Sequence, residues 1–238
     1  MSAPPEEEIV QLPRPTLAPN GVVGVLVPWG NTTAQLEIAS LTPSGVIDAV
    51  GWFNFGPGVD LDAELRAVAE KLMFAEATAM LLSLSPEMFA GGLDRARSYQ
   101  AAIADASGVP TFTSTEGTFH RLRRLGASRI GLIAPAPPEQ MEHATANFAT
   151  VGFTVVRSCG MDCGLPNIKA TPLDDIAEAF RSVDYPDVEA FVQTGTGLPA
   201  FSVADLIAAE LGRPVITSTA AGYLQTLESL ELNPEDAL

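Results

Sequence analysis

The chain has 238 residues, of which 47% are hydrophobic and 18% are charged. This balance predicts a globular protein with a sizeable core and excludes the highly charged composition of disordered chains. The 29 acidic and 13 basic residues give a net charge of −16, which opposes binding to the phosphates of nucleic acid.

Residues 1–20 differ in composition from the rest of the chain. They hold five prolines and three consecutive glutamates, and such a segment buries too little apolar surface to offset the entropy lost on ordering. We therefore predict a flexible N-terminal arm. Neither a secretory signal nor a run of 18 apolar residues is present, so we expect a cytoplasmic protein without membrane partners.

From residue 22 onward, short apolar runs alternate with helical periodicity, which predicts an α/β fold with a mostly parallel sheet flanked by helices. Strands are predicted at 22–27, 78–84, 111–113, 130–134, 154–156, 190–193 and 215–217. Helices are predicted from about residue 33 and at 63–74, 92–107, 117–125, 138–151, 173–183, 202–211 and 221–230. In such sheets ligands bind beyond the carboxyl ends of the strands, so we expect function in the turns there.

An internal repeat predicts two lobes. Segments 108–115 and 212–219 share five identities in eight positions at an offset of 104 residues. Each copy follows a predicted helix and leads into another. We predict two copies of one α/β unit, with lobe 1 formed by 21–115 and 216–238, lobe 2 by 116–215, and a cleft between them.

The turn after the first predicted strand contains Pro28, Asn31 and Thr32. Asn and Thr side chains at a helix start can form a binding site for a carboxylate. The free N–H groups of the first helical turn and the helix dipole favour an anion there. The alternative is that Asn31 or Thr32 only caps the helix. The two roles can coexist.

The turn after the second predicted strand carries Ser85 and Glu87. A carboxyl group in a desolvated cleft would have a raised pKa and could exchange a proton with a substrate carbon. The alternative is that Glu87 is only a favourable charge at a helix start. Ser85 and Glu87 are the candidate catalytic residues.

Further turns combine hydroxyl groups with glycine. The residues concerned are Ser114, Thr115, Gly195, Thr196 and Ser218. Glycine lets the backbone approach a ligand, and clustered hydroxyls and amides stabilise negative charge without a cation. We predict that these residues bind the substrate.

Metal and nucleotide motifs are absent from the sequence. Cys159 and Cys163 have a spacing that fits neither zinc pairs nor a redox motif, and we expect them to be reduced and structural. With only two histidines, a His-rich metal site cannot form, and we predict no metal. No P-loop, nucleophile elbow or zinc-protease motif occurs.

Several segments resemble a known family. Residues 24–37 resemble the first strand and loop of maleate isomerases, which share the pattern Val-Pro-x-x-Asn-Thr-Thr with a nearby glutamate. The repeated Gly-x-Pro-x-x-x-Ser-Thr segments, 125–133 and 212–222 resemble arylmalonate decarboxylase as well. Nearly all of the chain beyond residue 20 thus resembles the maleate isomerase and arylmalonate decarboxylase branch of the aspartate/glutamate racemase superfamily.

The resemblance implies two pseudo-symmetric flavodoxin-like lobes with one active site between them and no cofactor. Enzymes of this branch move a proton beside a carboxylate, remove carbon dioxide, or isomerise a double bond through a covalent cysteine adduct. The Asn-Thr loop and the donors after the strands would hold a small-molecule carboxylate. A homo-oligomer is compatible with the resemblance.

The chain departs from the family where two cysteines would end two strands. It has Leu84 or Ser85 at the first position and Gly195 at the second, and Ala136 where the decarboxylase has a tyrosine. Serine at its ordinary pKa is a poor acid or base for carbon. Proton transfer would therefore need Glu87, a perturbed Ser85 or the substrate itself.

These observations predict a cofactor-independent isomerase or decarboxylase-type enzyme acting next to the carboxylate of a small carboxylic or dicarboxylic acid. The alternative is a non-catalytic carboxylate-binding or regulatory protein that has lost the thiol chemistry. A metal-dependent lyase using Glu87, Asp162 and His143 is a weaker alternative, because their spacing gives no ligand cluster.

Overall fold

The computed structural model describes residues 15–164 and 167–232. Its strands are β1 Gly21–Pro28, β2 Val46–Phe53, β3 Ala79–Leu82, β4 Thr111–Thr113, β5 Arg129–Ala134, β6 Thr154–Gly160, β7 Ala190–Gln193 and β8 Val215–Thr217. Its α-helices are α1 Thr32–Leu41, α2 Leu61–Leu72, α3 Gly92–Ser107, α4 Ser114–Leu125, α5 Pro138–Thr150, α6 Leu173–Ser182, α7 Phe201–Leu211 and α8 Ser218–Ser229. Short 3₁₀ turns lie at Met73–Ala75, Pro86–Met88 and Asn167–Ala170.

The strands form two parallel four-stranded sheets with the same topology. The first has the order β2-β1-β3-β4 and the second β6-β5-β7-β8. Each sheet is flanked by helices, because its strands are apolar on both faces and need cover on both sides. The predicted α/β fold of two pseudo-symmetric flavodoxin-like lobes is confirmed.

Strand β2 was not predicted, because it is an edge strand in which Asp48 and Gly51 interrupt the apolar run. The Asp48 carboxylate accepts hydrogen bonds from Thr42 and Tyr223. Gly51 makes room for helix α2, since a Cβ there would lie 2.4 Å from Val68 Cγ1. Tertiary partners therefore stabilise a strand whose local pattern does not predict one.

Helices α4 and α8 join the lobes, because each follows one sheet along the chain and packs against the other. Helix α4 follows the first sheet but buries Phe119 in the core of the second, and α8 follows the second sheet but buries Tyr223 against β1. They meet at Gly117, where a Cβ would lie 2.4 Å from the Cα of Gly222. This close approach brings the first turns of both helices together at the junction of the lobes.

The first described residues pack against the first sheet. Residues 1–14 of the predicted arm lie outside the described residues, whereas Ala18 is fully buried in the core beside the first sheet. The predicted lobe boundaries at 115 and 216 stay a prediction. Across 15–164 and 167–232, no helix is both long and apolar enough to cross a membrane.

Candidate active site

Buried hydroxyl side chains collect at the carboxyl ends of the strands, where the lobes meet. The members of this hydroxyl cluster are Ser83, Ser85, Thr113, Ser114, Thr115, Thr194, Thr196, Thr217 and Ser218, and none is more than 6% exposed. They end or directly follow β3, β4, β7 and β8, so the parallel topology of both sheets brings them to one edge. Contacts between the lobes are therefore polar here.

Glu87 lies within this cluster and connects the two lobes. Its carboxyl group accepts hydrogen bonds from the hydroxyls of Thr115, at the start of α4, and Thr194, after β7. Only 1% of the residue is exposed. The Asn147 side-chain amide of α5 donates to the backbone carbonyls of Glu87 and Phe89, at 2.7 and 2.9 Å. Both the side chain and the backbone of Glu87 are thus held.

Burial changes the acidity of Glu87. Loss of hydration raises the pKa of its carboxyl group, and the hydrogen bonds from Thr115 and Thr194 lower that pKa by less. A carboxyl group that keeps its proton at higher pH than usual can serve as a proton donor near neutrality. The predicted location of Glu87 at a desolvated junction between lobes agrees with the structure.

The local sequence explains how the Glu87 turn is positioned. Pro86 opens the 3₁₀ turn Pro86–Met88 with a fixed φ, and helix α3 begins directly behind it at Gly92. A Cβ on Gly92 would lie 1.9 Å from the Pro86 carbonyl oxygen. Only glycine therefore allows the turn to pack on α3 and direct Glu87 into the cluster.

Asn31 combines the two roles considered for it. Its Oδ1 atom accepts from the backbone N–H of Ala34 at 3.1 Å and caps helix α1. Its Nδ2 atom donates to Thr196 Oγ1 in lobe 2 at 3.1 Å, and the Thr196 hydroxyl donates to the carbonyl of Ser83 at 3.2 Å. Asn31 is half-buried, so it lies at the rim of the hydroxyl cluster.

Ser85 and Gly195 contact each other across the lobes. The Gly195 backbone N–H donates to Ser85 Oγ at 3.0 Å. Gly195 has a φ of 96°, and a Cβ there would lie 2.5 Å from Pro135 Cδ. The family resemblance implies thiols at Leu84 or Ser85 and at Gly195, and Gly195 has no room for a side chain unless Pro135 moves.

Several hydroxyls of the cluster have no hydrogen-bond partner among the described residues. Ser83, Ser114, Thr217 and Ser218 belong to this group. An unsatisfied buried polar group costs about 1–3 kcal/mol, and such groups are typical of sites that bind a polar ligand. Ser114 and Ser218 also begin α4 and α8, whose helix dipoles favour an anion at that end.

The remaining predicted site residues lie at different depths. Pro28 is half-buried at the end of β1, and Thr32 is exposed in the first turn of α1. The structure thus brings Ser85, Glu87 and the predicted hydroxyls together and leaves Thr32 outside the buried cluster. The predicted roles of all these residues stay predictions. Thr194 was not predicted as a site residue, because its contact with Glu87 depends on the tertiary fold.

Within the described ranges, no group of three or more His, Cys, Asp or Glu side chains could hold a metal ion. Glu87, Asp162 and His143 therefore do not form the ligand group of the weaker alternative. Cys159 and Cys163 are free and half-buried, and they line a cavity beside α6, away from the hydroxyl cluster.

Comparisons with known proteins identify the family. A family model described as arylmalonate decarboxylase matches residues 61–237. The chain belongs to the arylmalonate decarboxylase family. Among curated proteins, a maleate isomerase from Nocardia farcinica (strain IFM 10152) is 22% identical over 237 residues, which cover 88% of this chain and 90% of that protein. The resemblance to this branch is thereby confirmed.

Solved structures of the same branch have this fold. The maleate isomerase Iso from Pseudomonas putida S16 superposes with a TM-score of 0.78 at 19% identity, covering 89% of this chain and 93% of that chain. Unliganded arylmalonate decarboxylase superposes with a TM-score of 0.70 at 19% identity, covering 88% and 92%. A cysteine-to-serine mutant of the Nocardia farcinica isomerase, with a covalently bound succinylcysteine intermediate, gives 0.77 at 21% identity, covering 89% and 93%.

Proposed function

We propose that the chain is a cofactor-independent isomerase or decarboxylase-type enzyme acting next to the carboxylate of a small carboxylic or dicarboxylic acid. The observation that carries the proposal is Glu87, a buried carboxyl group with a raised pKa that lies between Thr115 and Thr194 at the junction of the lobes. Unpartnered hydroxyls beside it supply donors for an anion. The family supports the same class of chemistry.

The roles follow from charge and hydrogen bonding. A substrate carboxylate would accept hydrogen bonds from Ser114, Ser218 and the N–H groups that begin α4 and α8, which stabilise negative charge without a cation. In a decarboxylation, the bond between the α-carbon and the carboxylate breaks, carbon dioxide leaves, and the electron pair stays on the α-carbon. Protonated Glu87 then gives its proton to that carbon and regains one from water.

The proposal assigns no covalent thiol step. Cys159 belongs to β6 and Cys163 follows it, beside α6, and neither side chain is bonded to Glu87. Ser85 remains a candidate because its hydroxyl lies close enough to the Glu87 carboxyl group to lower the pKa of that group slightly. Ser85 would orient the proton of Glu87 rather than act as the proton donor itself, since a serine hydroxyl at its ordinary pKa is a weak acid.

Ligand binding is the first test of this proposal. A thermal-shift screen of small mono- and dicarboxylates, including maleate and malonate derivatives, is expected to reveal acids that raise the unfolding temperature. Uncharged amides of the same acids are the matched ligands and are expected to leave it unchanged. A panel in which no carboxylate stabilises the protein more than its amide would refute the proposed site.

Asn31→Asp is expected to weaken substrate binding while keeping the cap of helix α1. Aspartate caps a helix as well as asparagine, but its charge would repel a carboxylate at the rim of the cluster. We expect KM to rise at least about tenfold, because like charges at this range repel by several kcal/mol. Asn20→Asp adds the same charge before the other end of β1 and is the control. An unchanged KM in Asn31→Asp would remove Asn31 from the site.

A further inference from the structure

A second buried carboxyl group, Glu37, joins the lobes beside the hydroxyl cluster. It lies on α1 and is 5% exposed. Its Oε1 atom accepts a hydrogen bond of 3.4 Å from the backbone N–H of Phe201, the first residue of α7 in lobe 2. Thr219, in the first turn of α8, lies near this carboxyl group, and its hydroxyl has no hydrogen-bond partner among the described residues.

The surroundings of Glu37 repeat those of Glu87. Thr219 and Thr115 occupy the same position of the internal repeat, 104 residues apart, and each lies next to one of the two buried glutamates. Each glutamate also contacts the segment that runs from the end of β7 into α7. The molecule therefore places a threonine near each buried glutamate at equivalent helix starts, and of the two only Thr115 is hydrogen-bonded to its glutamate.

Glu37 and Asn31 fasten α1 to lobe 2 at two points. Asn31 contacts Thr196 at one end of the helix, and Glu37 contacts Phe201 further along. Residues 31 and 37 are six positions apart in the sequence, which corresponds to about 9 Å along a helix axis. Thr196 lies in the short connection after β7 and Phe201 begins the helix that follows it, so both contacts fix α1 to neighbouring parts of lobe 2. Loss of either contact would let the other shift.

We propose that neutral Glu37 is a positioning residue that holds α1, and with it the Asn31 side chain, against the connection that carries Thr196. The proposal rests on the proposed function only in taking Asn31 as part of the carboxylate-binding site. Glu37 acts through Asn31 and touches no substrate. Ionisation of Glu37 places an unpaired charge in a buried contact and loosens it.

The charged groups around Glu37 do not neutralise it. On β2 and α8, Asp48 and Tyr223 are hydrogen-bonded to each other, and on α8 Glu228 pairs with Arg124 and His120. Asp205 of α7 is exposed. The described ion pairs give Glu37 no cation, and burial raises its pKa from the ordinary 4.5 to about 8.

The direction of the pH effect follows from this raised pKa. When the contact is open or the chain is unfolded, the Glu37 carboxyl group loses its proton above pH 4.5. In the closed contact the buried group keeps its proton until about pH 8. The free energy that favours the closed contact therefore decreases as the pH rises between these values and levels off above the upper one. At one pH unit above the folded pKa, only about a tenth of Glu37 stays neutral.

The experiment compares wild type, Glu37→Gln and Asp48→Asn between neutral pH and about one unit above the folded pKa of Glu37. Glutamine has the size and polarity of the neutral acid and cannot ionise. We expect wild-type affinity for malonate to fall about tenfold more over this range than that of Glu37→Gln, since any loss from ionisation of Glu87 is common to both. Asp48→Asn removes a half-buried carboxyl group that also has a raised pKa and is expected to behave like wild type.

Hydrogen exchange of the Phe201 amide gives a second readout that needs no ligand. We expect this amide to exchange equally in wild type and Glu37→Gln at neutral pH, and faster in wild type at alkaline pH. An alkaline loss of affinity that is equally large in Glu37→Gln and wild type, or weak binding by folded Glu37→Gln at neutral pH, would overturn the proposal. If no carboxylate binds any variant, the proposed function fails, while the Phe201 exchange still decides the role of Glu37.

Discussion

Glu87→Gln is expected to turn over any carboxylate that the wild type processes at least about 100-fold more slowly. Positioned general acids contribute about 10²–10⁴-fold to the rate. Glutamine keeps the volume of the side chain and can still bond to Thr115 and Thr194, so the fold should persist. It cannot give or take a proton near neutral pH. The measurement is kcat, with the unfolding temperature recorded in parallel.

The control for this variant is Asp48→Asn. Asp48 is half-buried, also has a raised pKa and accepts hydrogen bonds from Thr42 and Tyr223. We expect its loss to affect stability and to leave kcat within about threefold, which is the usual spread of such contributions. Full turnover in folded Glu87→Gln would reduce Glu87 to a structural link between the lobes.

Gly117→Ala is expected to be among the most destabilising single-methyl changes in the chain. The added Cβ would lie 2.4 Å from Gly222 Cα and 2.5 Å from its backbone nitrogen. Neither is the end of a flexible side chain, so helices α4 and α8 must separate where they join the lobes. Overpacking of this kind costs about 1–3 kcal/mol and occasionally more, and here both lobes lose contacts. Denaturant unfolding measures the loss.

The control for Gly117→Ala is the same substitution at Gly197. The nearest atom to a Cβ there is Ile168 Cγ2 at 3.4 Å, an ordinary contact. We expect Gly197→Ala to change the free energy of unfolding by no more than about 0.5 kcal/mol. Equal stability of the two variants would mean that α4 and α8 do not meet as closely as described.

Most of the fold could be predicted from the sequence because local patterns and tertiary environment agree. Strands β4, β7 and β8 and helix α3 have the predicted bounds, since each ends at glycine, proline or a hydroxyl cluster that stops the element. β2 was missed because Asp48 and Gly51 break its apolar pattern, and their reasons lie in distant partners. Helices α4 and α8 begin three residues earlier than predicted, at the hydroxyl residues themselves.

The candidate site could be predicted only in part. Glu87 and Ser85 stand out because they follow an apolar strand, and the repeat identifies Ser114 and Ser218. The partners of the Glu87 carboxyl group include Thr194 from the other lobe, and no spacing rule connects residues 87 and 194. Glu37 could not be recognised for the same reason. Its position on α1 is that of an ordinary polar helix residue until α7 and α8 bury it.

The most direct test of the proposed function is proton NMR in deuterium oxide of the purified protein with maleate, malonate and substituted malonates. We predict that at least one of these acids loses carbon dioxide, isomerises or gains deuterium beside its carboxylate, and that Glu87→Gln slows this change at least about 100-fold. If acids that stabilise the wild type stay chemically unchanged even at stoichiometric protein, the chain binds carboxylates without catalysis, and the assignment of Glu87 as proton carrier is wrong.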